Sequence, residues 1–238
     1  MTHLTYPNES AEYRNARNAL LTEEMALRRQ IEAVAAQRRA LPPGGEAPED
    51  YLFERIGANG MPETVEMSKL FGRHRTLILY SFMYGPEREA PCPMCTHLLD
   101  SVNGGARHVG ERAALYVVAK SPIARLIAWA AGRGWSHLQL LSTAGNRYDA
   151  DYFGDTSKLP PEMRRAHGIK DGEDWDETMF NVFRLDNGVV RHFWGSELSW
   201  ASVEPGQHHR SGDAVNALWG LLDMTPEGRG QFMPKLAY

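Results

Sequence analysis

The chain has 238 residues, 42% of them hydrophobic and 24% charged, with a formal net charge of -4. That length holds one sizeable core with additions or two small domains, and the mildly negative balance gives no case for nucleic acid or a membrane surface as partner. No apolar run approaches the roughly 18 residues that a membrane helix needs, and two cysteines are too few for a disulfide scaffold, so stability must come from the core.

Residues 1–9 are polar and read as a loosely held arm. From about Ser10 to Ala40 the pattern is helical: Tyr13, Leu20, Leu27, Val34 and Leu41 recur every seven residues, with Ala16, Ile31 and Ala35 beside them. This is a narrow apolar stripe on a charged helix, stopped by Leu41-Pro42-Pro43-Gly44-Gly45. The stripe suits packing across the protein's own body, or a homodimer made through the N-terminal helix. We place a helical extension and linker over 1–45 and a second domain over 46–238. Arg28-Arg29 and Arg38-Arg39 read as a solvated face, because glutamates are interspersed and no aromatics accompany them.

Tyr51 to Ile56 reads as a short strand, Gly57-Ala58-Asn59-Gly60 as a turn, and Met61 to Val65 as the return. Glu66 to Phe71 is a helical turn closed by Gly72. Thr76 to Phe82 is nearly continuous in apolar character, as a central strand covered on both faces should be. A loop carrying Cys92-Pro93-Met94-Cys95 follows. Thr96 to Val102 can be helical, and Asn103-Gly104-Gly105 is expected to break it. Ala113 to Ala119 is a second buried strand. Ser121 is the expected N-cap of the next helix, with Pro122 at its first position; Ile123, Leu126, Ile127 and Ala130 form its apolar face, and Gly132-Arg133-Gly134 ends it. Leu138 to Ser142 is a third strand. Residues 143–177 are irregular, and a loop that long inside a domain is usually functional or mobile. Met179 to Leu185 and Val189 to Trp194 form a hairpin about Asp186-Asn187-Gly188. Residues 196–212 read as loop, and a last helix runs from Asp213 to Asp223 with Val215, Leu218, Trp219 and Leu222 inward.

The chemistry concentrates on the cysteine pair. Residues 1–18 lack the apolar core of a signal peptide, so a cytoplasmic location is expected, and there an isolated Cys-x-x-Cys is redox-active or metal-binding rather than structural. The order β-α-β-α-β, then a hairpin and a helix, is that of a thioredoxin-like α/β fold, a central mixed sheet flanked by helices. It puts the pair at the start of the first helix after the 76–82 strand. Cys92 then sits at the N-cap, where unpaired backbone N–H groups and the helix dipole favour a thiolate. Pro93 suits the first helical position. Cys95, one turn on, faces the same way and is more buried. Cys92 is therefore the expected nucleophile and Cys95 the resolving thiol of a dithiol–disulfide oxidoreductase. Its partners would be a disulfide or dithiol substrate and a reducing partner. Arg88 or Arg147 would help to ionise Cys92, with Glu87 and Glu89 opposing. Tyr80, Tyr84, Tyr148, Tyr152, Phe153 and Trp194 are candidates for a groove beside it.

Leu70-Phe71-Gly72-Arg73, Leu77 to Pro86 and Cys92-Pro93-Met94-Cys95 resemble a bacterial family of thioredoxin-like proteins of unknown function, labelled predicted dithiol–disulfide oxidoreductases. The stretches Ala16 to Pro42, Asn146-Arg147-Tyr148-Asp149 and Asp223 to Gly230 resemble it too, so the likeness spans nearly the whole chain. It implies a thioredoxin-like fold with an N-terminal helical extension. One departure stands out. Thioredoxins carry a cis-proline just before the strand that faces the cysteines. Here Asp174-Trp175-Asp176-Glu177-Thr178 precedes that strand, without a proline.

Two other readings stay open. One is a non-enzymatic metal-binding or delivery protein using Cys92, Cys95 and a histidine, drawn from His97, His108 or the pair His208-His209; zinc normally wants four ligands, and there is no second Cys-x-x-Cys. The other is an interaction protein on the same scaffold. Asp149, Asp151 and Asp155 lack the glutamate that closes a calcium loop. No Gly-x-Gly-x-x-Gly, phosphate-binding loop or Gly-x-Ser-x-Gly occurs, so no cofactor is expected.

Overall fold

The computed structural model describes residues 4–170, 173 and 175–238. Residues 1–3 of the expected N-terminal arm, and 171, 172 and Asp174 of the irregular segment, lie outside the described residues. The chain divides into two units, Met1–Pro43 and Gly44–Tyr238. The first is built on helix α1 (Ala11–Arg39). Ser10 caps it, its hydroxyl oxygen accepting from the Tyr13 N–H at 3.1 Å. Glu12 in the first turn and Arg38 and Arg39 in the last complement the dipole. No residue of α1 is buried, and Tyr13, Leu20, Leu27, Ile31 and Val34 of the apolar stripe are all exposed.

The second unit is organised around β3 (Thr76–Ser81), a central strand of a seven-stranded sheet. Strand β1 (Leu52–Ile56) pairs antiparallel with β2 (Pro62–Glu66). After the single-turn α2 (Met67–Leu70) comes β3. Helix α3 (Pro93–Val109), β4 (Ala114–Ala119), α4 (Ile123–Arg133) and β5 (Leu140–Ser142) follow. Strands β3, β4 and β5 are parallel neighbours, as right-handed crossovers through α3 and α4 require. Short helices α5 (Tyr148–Asp151) and α6 (Pro161–Ala166) lead to β6 (Met179–Asp186), which pairs antiparallel with β3 and with β7 (Val189–Gly195). The order across the sheet is β2-β1-β5-β4-β3-β6-β7. The β6–β7 turn takes positive φ at Asn187 (53°) and Gly188 (84°), the backbone that matches strand twist in a tight hairpin. This is the thioredoxin-like fold, a mixed sheet flanked by helices.

The pleat of β3 sends alternate residues to opposite faces. Leu77 and Leu79 join a core with Phe53, Val118, Tyr148 and Phe183. Tyr80 joins the other core with Cys95, Leu99, Val117 and Leu126. Helices α3 and α4 therefore cover the cysteine face.

Four expectations are corrected. Helix α3 does not break at Asn103-Gly104-Gly105 but continues to Val109. The glycines cost about 1 kcal/mol each relative to alanine, while burial of Leu98, Leu99 and Ala106 along one face favours continuing, and Asn103 Oδ1 accepts from the His137 N–H at 3.0 Å. Helix α4 starts one residue late, with Pro122 as N-cap, because the Ser121 hydroxyl is drawn away to donate to the Tyr84 carbonyl. The last helix is split: a single 3₁₀ turn over Asp213–Val215 precedes α7 (Ala217–Asp223). Asn216 caps α7 at the break, its Oδ1 accepting from the Leu218 N–H at 3.2 Å. Val215 is consequently exposed while Trp219 is buried, and Ile127 of α4 is likewise exposed rather than inward.

Candidate active site

Cys92 is the N-cap of α3, with Pro93 at the first helical position. Its N–H donates to the Met83 carbonyl at 3.0 Å, and its carbonyl accepts from the Thr96 N–H at 3.0 Å. The sulfur is thus held where the free N–H groups of the first turn converge. Three side chains, Asp176, Arg125 and Ser121, fix the loop that delivers it. Asp176 accepts from the Gly85 N–H at 2.6 Å and from Arg88 Nε at 2.5 Å. Arg125, in the first turn of α4, donates to the carbonyls of Gly85 (3.1 Å), Arg88 and Glu89 (3.2 Å). Its guanidinium lies over the Tyr84 ring at 4.1 Å. The Ser121 hydroxyl holds the Tyr84 carbonyl.

The two thiols are unlike. Both are free, Cys92 partly exposed and Cys95 buried. The Cys95 thiol donates toward the Cys92 sulfur, and this is the largest influence holding Cys92 down, to about 6. Burial opposes it; the N–H groups of Cys95 and Met94 and the charge of Arg88 add to it. The same hydrogen bond, with burial, pushes Cys95 well above the ordinary thiol value. Tyr80, from the end of β3, is buried in the same core as Cys95, and its hydroxyl, as a hydrogen-bond donor, works to lower the Cys95 thiol against the influences that raise it. That hydroxyl accepts from Thr178 Oγ1 at 2.8 Å. Thr178 immediately precedes β6, and the β3–β6 register sets Tyr80 opposite Phe180.

Met94, Cys95, Leu98, Tyr80, Thr178 and Phe180 form one wall of a cavity of about 390 Å³, within the size range of small-molecule sites. The opposite wall comes from the segment after β7, including His208, His209, Arg210, Trp219 and Phe232. Arg229 is buried in that wall, bonded to Asp213 and Asp223, and Arg210 is paired with the same two carboxylates.

Of the residues expected at the site, Cys92, Cys95, Tyr80 and Arg88 come together. Arg147 does not; it lies 3.6 Å from Asp151. Tyr84 is core on the cysteine face. Tyr148 and Tyr152 pack with the core on the other face, while Phe153, with a positive φ of 57°, is exposed. His97 Nε2 donates to Asn216 Oδ1 at 2.7 Å, and His108 sits exposed in the last turn of α3. Among the described residues no three His, Cys, Asp or Glu are arranged to hold a metal ion. Arg125, Asp176 and Thr178 were not singled out by the sequence. Arg125 carried one signal, a cation in a first helical turn, where the dipole disfavours it.

The other face carries a second polar group. Asp149 is buried, accepting from Thr143 Oγ1 and from Ser81 Oγ at 3.4 Å, and burial pushes its carboxyl up to about 6. Lys120 pairs with Asp155 at 2.9 Å. Asp155 stays below the usual range: against burial, it accepts from Ser157 and Lys120.

Residues 3–237 match a family model described as a bacterial protein of unknown function, DUF899. No curated protein matches the chain. Among solved structures, similar ones include reduced Prx3 in complex with H2O2 from Vibrio vulnificus, with 12% identity, coverage of 74% of this chain and 99% of that one, and a TM-score of 0.45. A putative thioredoxin reductase from Burkholderia cenocepacia has 14% identity, coverage of 74% and 95%, and a TM-score of 0.45. The mitochondrial 2-Cys peroxiredoxin from Plasmodium falciparum has 14% identity, coverage of 73% and 94%, and a TM-score of 0.41. Among the described residues no helix is long and apolar enough to cross a membrane.

Proposed function

The chain belongs to the bacterial DUF899 family, a family whose function is not assigned, and we propose from its cysteine geometry that it is a thiol–disulfide oxidoreductase. Cys92 is the nucleophile. Its thiolate attacks one sulfur of a substrate disulfide, forming a Cys92–substrate bond and releasing the other sulfur as a thiolate. Cys95 then attacks Cys92, the Cys92–Cys95 disulfide forms, and the second substrate thiolate leaves. A reducing partner returns the pair to dithiol; run in reverse, the same steps oxidise a substrate dithiol.

The observation that carries this reading is the asymmetry of the pair. One thiol is partly exposed, capped by helix N–H groups and held down to about 6; the other is buried one turn away, with its proton directed at the first. A structural pair of buried cysteines has no need of such asymmetry.

The test is to mix reduced protein with an aromatic disulfide and follow thiolate release. Cys92→Ser should abolish it. Cys95→Ser should stop after one equivalent, leaving a mixed disulfide on Cys92 that mass spectrometry detects. The potential of the pair, measured against glutathione buffers, should fall in the range of roughly -120 to -270 mV. Equal rates for wild type and Cys92→Ser would remove the reading.

A further inference from the structure

The Tyr80 hydroxyl is buried and must be accounted for. Tyr80 is 2% exposed, and its ring packs on Phe180 at 4.5 Å between centroids. A phenol has one proton to give and lone pairs to receive with. Its oxygen receives from Thr178 Oγ1 at 2.8 Å, so its own proton needs another acceptor, and the Cys95 sulfur is its neighbour in the same buried core and on the same cavity wall. Cys95 in turn points its proton at Cys92. Taken together, the Thr178–Tyr80 hydrogen bond, the shared core of Tyr80 and Cys95 and the effect of the Cys95 thiol on Cys92 set the order Thr178, Tyr80, Cys95, Cys92.

We propose that Tyr80 is a catalytic residue of the resolving step, donating a hydrogen bond that holds Cys95 as a thiolate while it attacks the mixed disulfide. The proposal rests on the oxidoreductase reading above. In the reduced pair the Cys95 proton serves the Cys92 thiolate. Once Cys92 is bonded to a substrate sulfur it is neutral, and Cys95 must lose its proton in a buried place. A bare thiolate there is costly. A charge-assisted O–H···S bond offsets that cost, and Thr178, by donating to Tyr80, strengthens Tyr80 as a donor. The Cys95 proton leaves to solvent through the cavity that Cys95, Tyr80 and Thr178 all line. The Cys95–Cys92 bond then forms, the Cys92–substrate bond breaks, and its electron pair leaves with the substrate sulfur as a thiolate. Over both steps the pair gives up two electrons and the substrate disulfide takes two.

The other titratable groups facing Cys95 are Cys92 on its own helix and, across the cavity, His208, His209, Arg210, Asp213 and Arg229. Both arginines are paired with Asp213 and Asp223, so their charge is compensated. Tyr80 is the donor from β3.

Tyr80→Phe keeps the ring and removes the hydroxyl. In a Cys92→Ser background, where Cys95 titrates alone, ultraviolet thiolate absorbance against pH should show the Cys95 midpoint rising by about one pH unit or more, a tenfold loss of thiolate. Thr178→Val, a milder change, should raise it less and in the same direction. With both cysteines present, a single turnover of an aromatic disulfide should release the first thiolate within about twofold of the wild-type rate and the second at least tenfold more slowly, with the Cys92 mixed disulfide accumulating. A Tyr80 that only packs would leave the midpoint and the second step where they are, and that result in a protein that turns over normally overturns this proposal alone. A wild-type protein that opens no disulfide overturns the oxidoreductase reading and this step with it; the midpoint measurement, which needs no substrate, keeps the two failures apart.

Discussion

Replacing Cys95 by alanine should raise the Cys92 midpoint, and the structure sets the size of the rise. Cys92 titrates at about 6, against roughly 8.5 for an ordinary thiol. At pH 7 that makes it roughly nine-tenths thiolate, where an ordinary cysteine is about 3% thiolate. The hydrogen bond from Cys95 is the largest of the stabilising influences, ahead of the Cys95 and Met94 N–H groups and Arg88. A hydrogen bond to a charged group contributes roughly 1.5–3 kcal/mol, and one pH unit corresponds to about 1.36 kcal/mol. Cys95→Ala should therefore move the midpoint up by about 1–2 pH units, leaving between about a half and a tenth of Cys92 ionised at pH 7. Cys95→Ser keeps an O–H donor and should move it less. The assay is thiolate absorbance against pH, with the rate of iodoacetamide alkylation as a second readout. If Cys92 in Cys95→Ala still titrates near 6, then the helix N–H groups and Arg88 carry the depression and the directed hydrogen bond does not. The same depression has a stability consequence. The folded value lies below the unfolded one, so the stability Cys92 contributes to the reduced protein is fully present above about 8.5 and is lost as pH falls through about 6. Cys92→Ser should flatten that part of the stability–pH curve.

Asp149 has the opposite sign: its folded value of about 6 lies above the ordinary 3.8, so its contribution is favourable below about 3.9 and is lost by pH 7. Urea unfolding of Asp149→Asn should improve relative to wild type by up to about 3 kcal/mol between pH 4 and pH 7; a difference independent of pH would show that Asp149 stays ionised throughout. Gly154→Ala should destabilise by more than about 2 kcal/mol, because a Cβ there would meet Asp149 Oδ1 at 2.1 Å and Ser81 Oγ at 2.6 Å; chemical denaturation checks it. Gly104→Ala should stabilise by about 0.5–1 kcal/mol, since Gly104 is helical and nothing lies within 4 Å of its added Cβ; an unchanged or lowered Tm would count against the continuous helix.

Strand β3, the cysteine pair at a helix start and the β6–β7 hairpin were legible because each rests on local chemistry: an apolar run, Cys-Pro at a cap, Asp-Asn-Gly at a turn. The course of α3 through Gly104 and Gly105 was not, because propensity argues for a break and only the tertiary burial of Leu99 and Ala106 argues against it. The partners of the cysteines were hidden for a different reason. Asp176 and Thr178 are more than 80 residues from Cys92 in the sequence, and they reach the loop before it and Tyr80 beside the antiparallel β3–β6 register, in which Ser81 faces Met179. Sequence cannot tell the two faces of the sheet apart, so the aromatic residues read as one groove. The pleat sends Tyr80 to the cysteine face, and Tyr148 belongs to the core on the other.

The missing proline takes on a different meaning against this geometry. Thioredoxins, which the sequence resembles, carry proline immediately before the strand that faces the cysteine pair; that place here is Thr178, one residue ahead of the Ser81–Met179 pairing. Proline has no N–H and no hydroxyl. Thr178 uses both: its N–H donates to Glu177 Oε1 at 2.8 Å and its hydroxyl donates to Tyr80 at 2.8 Å. A proline at 178 would delete the first link of the chain that ends on Cys92. Thr178 and Tyr80 thus form a pair, a phenol beneath the buried cysteine and the hydroxyl that orients it. The departure from the thioredoxin pattern lies in the residues that would serve the resolving thiol, while the cap that holds the Cys92 sulfur is unaffected by it.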